Sequence, residues 1–201
     1  FTVVDNPDEA DFAIVFMTSP NSGTGYDKSD REKGGNGYMP ISLQYNDYTA
    51  TYARNPSLAG GDPFENFTNR SYKGKSVKTA NKQDMLSVLE TKAKMKGKPV
   101  IVSLEMDKPT IMSEFEGSAD AILVNFGVQN QAVLDIISGK AEPSALLPLQ
   151  TPADMRIVEE LFEDVPRDMK CYTDSEGHLY DFAFGMNWKG VIDDERVTKY
   201  K

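Results

Sequence analysis

The hydrophobic residues of this chain come in short apolar runs, separated by longer stretches in which apolar and charged residues alternate. The runs are continuous and rich in β-branched residues, which is typical of strands buried in a parallel sheet. Three segments have this character: 12–17, 99–104 and 121–125. The stretches 83–95 and 131–137 instead repeat apolar residues at helical spacing, and each is followed within two residues by a glycine, Gly97 or Gly139. We therefore expect two helices that end in left-handed glycine conformations.

The order of these elements predicts the fold class. Strand, helix, strand, helix-bearing connection and strand follow one another with short links, which favours a right-handed, mainly parallel sheet. We predict an α/β fold, a three-layer α/β sandwich, formed by a single domain over residues 1–201. Shorter helices are expected at 110–115, after Pro109, and at 153–162.

A long, loop-rich insertion interrupts this pattern after the first strand. Residues 20–82, called the insertion arm below, are rich in Gly, Asn, Ser, Tyr and Asp. Such long excursions in a compact domain are usually functional or disordered, and the many aromatic residues argue against disorder. We expect an ordered arm that leans over a site; the alternative is a structural arm that packs on a neighbouring domain. Residues 166–201 form a turn-rich C-terminal extension.

Composition narrows the classes of partner and cofactor. With 22 Lys+Arg against 31 Asp+Glu the net charge is -9, which disfavours nucleic acid and anionic membranes. No apolar run approaches the roughly 20 residues of a membrane span. One cysteine, Cys171, excludes an internal disulfide, and one histidine, His178, makes a metal site improbable. The segment Gly34–Gly37 lacks the lysine of a phosphate-binding loop, so no cofactor is expected. The chain starts at Phe1 rather than Met, which suggests a fragment or a processed chain.

Three ordered motifs point to one family. Residues 119–152 read as a strand, a turn at Phe126-Gly127, a helix ending in Ser-Gly-Lys, then Pro-Ser and Leu-Pro. Residues 180–188, YDFAFGMNW, match a Y-x-F-G-x-G-L-S-Y pattern, with Ala183 where a glycine is common. Residues 22–27, SGTGYD, match an S-G-E-G-Y-D loop. The chain thus resembles the second domain of glycoside hydrolase family 3.

This resemblance implies an activity and a division of labour. Members are typically exo-acting, retaining β-glycosidases; β-glucosidase is the first expectation and β-xylosidase the second. The nucleophile is an aspartate on a preceding barrel domain, which this chain does not contain. The resemblance also implies a β-linked oligosaccharide or glucoside substrate, a periplasmic or secreted location, and a homodimer formed through the insertion arm. A non-catalytic carbohydrate-binding or interaction module is the alternative. An unrelated flavodoxin-like enzyme is disfavoured, since no phosphate-binding glycine loop follows the first strand.

The acid/base residue is the open question within this interpretation. Retaining glycosidases need two carboxyl groups about 5–5.5 Å apart. The family places its glutamate in either of two loops, and the matching positions here are Gln129 and Thr24, neither of which can serve. Either a carboxylate of the missing domain acts instead, or the role has moved within this chain. The candidates here are Asp27, Asp30, Glu32 and Glu105, of which Glu105 follows a strand, where ligands of α/β sheets collect.

Sugar binding requires aromatic rings for apolar sugar faces and planar groups for hydroxyls. We predict that seven residues line subsites: Ser22, Thr24, Arg54, Phe64, Glu65, Phe67 and Gln129. Glu65 is also a further acid/base candidate. The simpler interpretation of Phe64 and Phe67 is that they anchor the arm in a core.

Overall fold

The structure, a computed structural model, describes residues 1–55, 70–162 and 165–200. The helices and strands in chain order are β1 (Ala13–Thr18), α1 (Lys28–Glu32), β2 (Tyr48–Thr49), β3 (Ser76–Val77), α2 (Lys82–Met95), β4 (Val100–Glu105), β5 (Ala121–Asn125), α3 (Asn130–Ile137), α4 (Met155–Glu160), β6 (Met186–Asn187), β7 (Gly190–Val191) and α5 (Glu195–Tyr200). Within these ranges, 3₁₀ turns lie at Pro7–Glu9, Met112–Glu114 and Glu116–Ser118.

The three predicted strands form one parallel sheet in the order β1-β4-β5. The central strand β4 pairs Leu104 with Met17 on one side and with Val124 on the other. Val100, Val102 and Leu104 alternate along β4 and are fully buried, so they form one continuous apolar face. The predicted α/β class with a mainly parallel sheet is confirmed.

Helix α2 covers that face. Its buried residues Met85, Val88 and Met95 join the apolar face of β1 and β4 in one core, together with Tyr45 of the arm and Phe115. The rings of Tyr45 and Phe115 meet edge to face, with centroids 5.9 Å apart. The arm therefore contributes a fully buried side chain to the core of the sheet.

The opposite face of the sheet is less covered. Ile14 and Phe16 of β1 point to the side away from Val15 and Met17, and the Phe16 side chain is 50% exposed. Ile101 and Leu123 on the neighbouring strands are only partly buried. Parallel sheets are normally buried on both faces. In the described part of the chain, this face is thus partly open around Phe16, whereas Ser103 of β4 is buried on it.

The predicted helix ends hold with small corrections. α2 ends at Met95 and is followed by Lys96 at φ +51 and Gly97 at φ +90. Gly139 adopts the expected left-handed conformation, with φ +74, after α3. The segment 110–115 forms only a 3₁₀ turn. Helix α4 starts later than predicted because Asp154 caps it, accepting the amide of Ile157 at 2.9 Å, and it ends at Glu160 because Leu161 is extended.

The described part of the insertion arm is ordered by hydrogen bonds rather than by long elements. Its strands β2 and β3 form a two-residue antiparallel pair. The carboxylate of Glu114 accepts the backbone amides of Tyr45 and Asn46. The Lys75 ammonium binds Asp30 at 2.7 Å, which ties the two ends of the arm together.

The two C-terminal signature segments lie side by side. Leu147 donates its amide to the carbonyl of Phe184 at 2.7 Å, and Ala183 donates to that of Leu147 at 3.0 Å. A β-carbon on Gly185 would stand 2.3 Å from the carbonyl oxygen of Ala145, so only glycine fits there. Ala183 adopts φ +65, which explains why glycine suits this position of the pattern.

Candidate functional site

The carboxyl ends of the three strands form one edge. Thr18 at the end of β1, Glu105 at the end of β4 and Asn125 at the end of β5 are neighbours in register, with Glu105 in the middle. Loops leave this edge after each strand, as in other α/β sheets that bind ligands there. The two family loops, 22–27 and 127–131, follow β1 and β5 and so start from the same edge.

Hydrogen bonds fix the bases of these loops. Ser19 donates its amide to the carbonyl of Glu105 at 3.0 Å, and Met106 donates to Asn125 at 2.8 Å. The Ser19 hydroxyl, which is buried, accepts the amide of Asp107 at 3.3 Å and lies 3.1 Å from the hydroxyl of Thr110. The positions of the three loops are therefore coupled, which a preorganised site requires.

In the first family loop, the two predicted site residues, Ser22 and Thr24, have different environments. The Ser22 hydroxyl is buried and exchanges two hydrogen bonds with the backbone of Ser42, at 2.7 and 3.0 Å, which favours a structural role. Thr24 is exposed between Gly23 at φ +95 and Gly25 at φ +81. Since the loop backbone pairs with residues 37–39, Thr24 is presented from a fixed turn.

The second family loop presents Gln129. Gly127 turns the chain at φ +84, and the side chain of Asn125 accepts its amide at 3.2 Å. Gln129 is exposed just before α3, and its side chain makes no capping bond. Phe126 and Val128 beside it are about half exposed, at 52% and 48%. This loop offers an amide and two apolar side chains to whatever covers the edge.

Glu105 lies against this second loop. Its Oε1 atom is 3.9 Å from the point where a β-carbon on Gly127 would stand. The side chain is exposed, and within the described ranges it makes no hydrogen bond or ion pair. An acid/base carboxyl must be free to meet a glycosidic oxygen, and Glu105 satisfies that condition.

Three of the other acid/base candidates are already engaged, and Glu65 lies outside the described residues. Asp27 caps α1 and accepts the amide and hydroxyl of Ser29 at 2.8 and 3.0 Å; these bonds lower its pKa. A hydrogen bond from Lys75, with a second from the amide of Gly37, lowers the pKa of Asp30. A lowered pKa keeps a carboxyl ionised, which is the opposite of what a general acid needs.

Glu32 is exposed and forms an i,i+4 ion pair with Lys28 at 3.5 Å. Such a pair on a solvated helix is an ordinary surface contact. The geometry therefore separates Glu105 from the three carboxylates of the arm, and the assignment of the acid/base stays a prediction.

The predicted subsite in the arm is described only in part. Phe64, Glu65 and Phe67 lie outside the described residues. The guanidinium of Arg54 stacks over the ring of Phe162, 4.9 Å from its centroid. Arg54 thus faces the segment that follows α4, and its role in sugar binding stays a prediction.

Two acidic residues were not anticipated from the sequence. Glu114 and Glu159 both accept backbone amides of the arm, and Glu159 is buried. Each lies in a helical segment whose charges look like those of a solvated face. Their partners are backbone amides, which have no sequence signature, so no pattern could have identified them.

Further features of the described residues complete the picture. A cavity of about 630 Å³ is lined by Val158, Leu161, Phe162 and Met169 among others, and by none of the predicted site residues. No described helix has the length and apolar character to span a bilayer. Within the same ranges no group of His, Cys, Asp and Glu could hold a metal ion.

Comparison with known proteins agrees with the geometry. Residues 2–188 match the model of the glycosyl hydrolase family 3 C-terminal domain. The chain is 27% identical over 183 residues to "Probable beta-glucosidase C" of Aspergillus flavus, covering 91% of this chain and 22% of that protein. It is 30% identical over 91 residues to "Beta-glucosidase C" of Emericella nidulans, covering 45% of this chain and 14% of the relative.

A bacterial relative is similar over more than half of the chain. The "Periplasmic beta-glucosidase/beta-xylosidase" of Dickeya chrysanthemi is 26% identical over 120 residues, 60% of this chain and 17% of that protein. No solved structure matches the chain significantly. The chain spans at most about a fifth of the length of these curated relatives, 22% in the first case. Because the family model matches nearly the whole length of the chain, the chain belongs to the C-terminal domains of glycosyl hydrolase family 3.

Proposed function

We propose that this chain is the second domain of an exo-acting, retaining β-glycosidase that releases terminal β-linked glucose, and that it completes a cleft whose nucleophile lies on another domain of the same protein. The observation that carries the proposal is the shared edge, where both family loops leave the sheet beside Glu105. Family membership and the names of the relatives support a glycosidase and a glucoside substrate.

In this proposal Glu105 is the acid/base. Its protonated carboxyl donates a proton to the glycosidic oxygen as the nucleophile of the other domain forms the glycosyl-enzyme. The resulting carboxylate then takes a proton from the water that cleaves this intermediate, so Glu105 returns to its starting state.

The two family loops that leave the edge of Glu105 carry groups that suit a sugar. Thr24 offers a hydroxyl and Gln129 an amide, both exposed, for the hydroxyl groups of the substrate. The half-exposed ring of Phe126 offers an apolar surface for a sugar face. Arg54, Phe64, Glu65 and Phe67 are proposed to bind more distant parts of the substrate, through the arm.

Two observations favour second candidates. The relative named a beta-glucosidase/beta-xylosidase supports xylosides as alternative substrates and a periplasmic or secreted location. The replacement of both family glutamates, by Thr24 and Gln129, supports a carbohydrate-binding module without catalysis. The same experiment separates these candidates.

The test compares leaving groups in the full-length enzyme carrying Glu105→Gln. Hydrolysis of cellobiose, whose leaving group needs a proton, should fall about 10²–10⁴-fold. Hydrolysis of 2,4-dinitrophenyl β-glucoside should fall far less in its first step, because that leaving group departs without a proton, and azide should rescue turnover by forming a β-glucosyl azide.

The matched control is Glu142→Gln, an exposed glutamate outside the edge, which should leave both rates unchanged. Equal losses on both substrates, without azide rescue, would remove Glu105 from the acid/base role. A wild-type protein that binds glucosides and cleaves none would establish the binding module, and faster cleavage of xylosides would establish the xylosidase.

A further inference from the structure

Helix α4 and the two residues after it form a seat for the insertion arm. The Met155 sulfur accepts the amide of Leu43 at 3.2 Å, and the Arg156 guanidinium lies over the ring of Tyr52, 4.9 Å from its centroid. Arg54 lies over Phe162 in the same way. Met155, Arg156 and Glu159 are spaced as neighbours on one side of α4, and Phe162 follows the helix, so this side and the segment after it carry the arm.

Glu159 is at the centre of this seat. Its Oε2 atom accepts the amide of Tyr52 at 2.9 Å, and the amide of Ala53 also acts on the carboxylate. The residue is 5% exposed, and no other charged side chain in the described ranges is as deeply buried. A carboxylate therefore holds two consecutive arm amides inside the protein.

This arrangement leaves unused hydrogen-bonding capacity. The second oxygen of Glu159, Oε1, and the hydroxyl of Tyr48 are both buried, and neither has a partner in good hydrogen-bond geometry. The two groups nevertheless interact with each other: burial raises the pKa of both, the Tyr48 hydroxyl opposes the rise at Glu159, and Glu159 adds to the rise at Tyr48. A buried carboxylate whose second oxygen has only this poorly aligned partner is costly, so a glutamate at this position is hard to explain by stability alone.

The surrounding charges do not cancel this cost. From the arm, the Tyr48 hydroxyl and the Lys73 ammonium act on Glu159, and both favour its ionised form less strongly than burial opposes it. Tyr72 of the arm and Asp154 of the helix start act on Tyr48. On the helix itself, Arg156 is paired with Glu160 at 2.7 Å rather than with Glu159. Burial thus outweighs these partners and favours the protonated carboxyl.

We propose that Glu159 is a positioning residue that couples the seating of the insertion arm, and through it substrate binding at the arm, to pH. Because the folded arm favours the protonated carboxyl, its contribution to seating is complete below the ordinary glutamate pKa of 4.5 and is lost as pH rises through the raised pKa. A mildly acidic medium tightens the arm on α4, and a neutral medium loosens it. The kinetic consequence rests on the proposed glycosidase function, whereas the structural consequence does not.

The kinetic test measures KM and kcat for p-nitrophenyl β-glucoside from pH 4.5 to 8 in the full-length enzyme. In the wild type, KM should rise about threefold or more across this range, in addition to any change caused by the acid/base residue. A factor of this size corresponds to the loss of one buried hydrogen bond. Glu159→Gln, which mimics the protonated carboxyl, should keep the low KM at all these pH values with kcat unchanged. Glu159→Leu, which cannot accept the two amides, should show a high KM throughout.

The control is Glu160→Gln, which removes the neighbouring exposed carboxylate and should keep the wild-type profile. A second readout is hydrogen exchange at the amides of Tyr52 and Ala53, corrected for the intrinsic effect of pH. Their protection should fall with rising pH in the wild type and stay constant in Glu159→Gln.

The two readouts separate the two proposals. If no glycoside is cleaved but the exchange follows this pattern, the glycosidase proposal fails and the proposed pH-dependent seating of the arm by Glu159 stands. If exchange at Tyr52 and Ala53 has the same pH dependence in the wild type and in Glu159→Gln, the proposed role of Glu159 is wrong. This conclusion holds whatever KM and kcat are measured.

Discussion

The sheet and the insertion arm are stabilised by different forces. The sheet rests on apolar burial: β4 contributes three fully buried residues, and α2 packs over them. The described part of the arm has two-residue strands and one short helix, and it is held by carboxylates that accept backbone amides, at Glu114 and Glu159, and by the Asp30–Lys75 pair. Apolar burial is insensitive to pH and salt, whereas carboxylate anchors respond to both. The scaffold is therefore constant, and the arm can respond to its surroundings.

The largest loss of stability is expected from Leu104→Ala, in the core of the sheet. Leu104 is fully buried at the centre of the sheet, so removing its side chain should destabilise the 201-residue chain by about 2–5 kcal/mol. Urea unfolding followed by circular dichroism measures this loss. The matched control, Phe16→Ala on the half-exposed face, should cost clearly less. Equal costs would mean that the sheet core is not organised around β4.

A smaller and local effect is expected from Glu114→Ala. The substitution leaves the amides of Tyr45 and Asn46 without their acceptor, at a cost of about 1–3 kcal/mol. Hydrogen exchange should speed up at these amides and in the neighbouring arm, while β4 and β5 keep their protection. Glu114→Gln keeps an acceptor and should recover part of the protection. If β4 loses protection as much as the arm does, the two regions unfold as one unit.

The smallest effect is expected at the Asp30–Lys75 pair, and it has the opposite pH sign to Glu159. The Lys75 hydrogen bond lowers the pKa of Asp30, so its contribution is present above the ordinary value of 3.8 and is lost as pH falls through the lowered pKa. Added salt should weaken it, since both side chains are about a quarter exposed, at 22% and 26%. Exchange at the Gly37 amide, which Asp30 accepts, reports the loss. Glu32→Gln, at a fully solvated pair, should change nothing; an exchange rate at Gly37 that ignores both acid and salt would contradict the anchor.

The same division explains what the sequence could predict. The strands at 13–18, 100–105 and 121–125 and the helices α2 and α3 follow directly from apolar periodicity, because burying one face of each element requires that spacing. The location of Glu105 followed from the rule that ligands meet the carboxyl ends of parallel strands.

The sequence could not distinguish the acidic residues of the arm from one another. Asp27, Asp30 and Glu32 look alike in sequence, yet one caps a helix, one pairs with a lysine far along the chain, and one is solvated. Glu159 reads as a surface residue next to Glu160, and only the packing of Tyr52 onto α4 makes it internal. Such roles depend on contacts between distant segments, which local patterns do not encode.

The open face beside Phe16 has a consequence for how this polypeptide behaves on its own. Among the described residues, β1 and β5 are edge strands without a further pairing strand, and the exposed ring of Phe16 adds an apolar surface next to one of them. Solvent-exposed edge strands next to an apolar surface tend to pair with other chains. Left uncovered in concentrated solution, this domain will self-associate and take up fluorescent hydrophobic dyes, and its solubility will depend on whichever polypeptide shields that side.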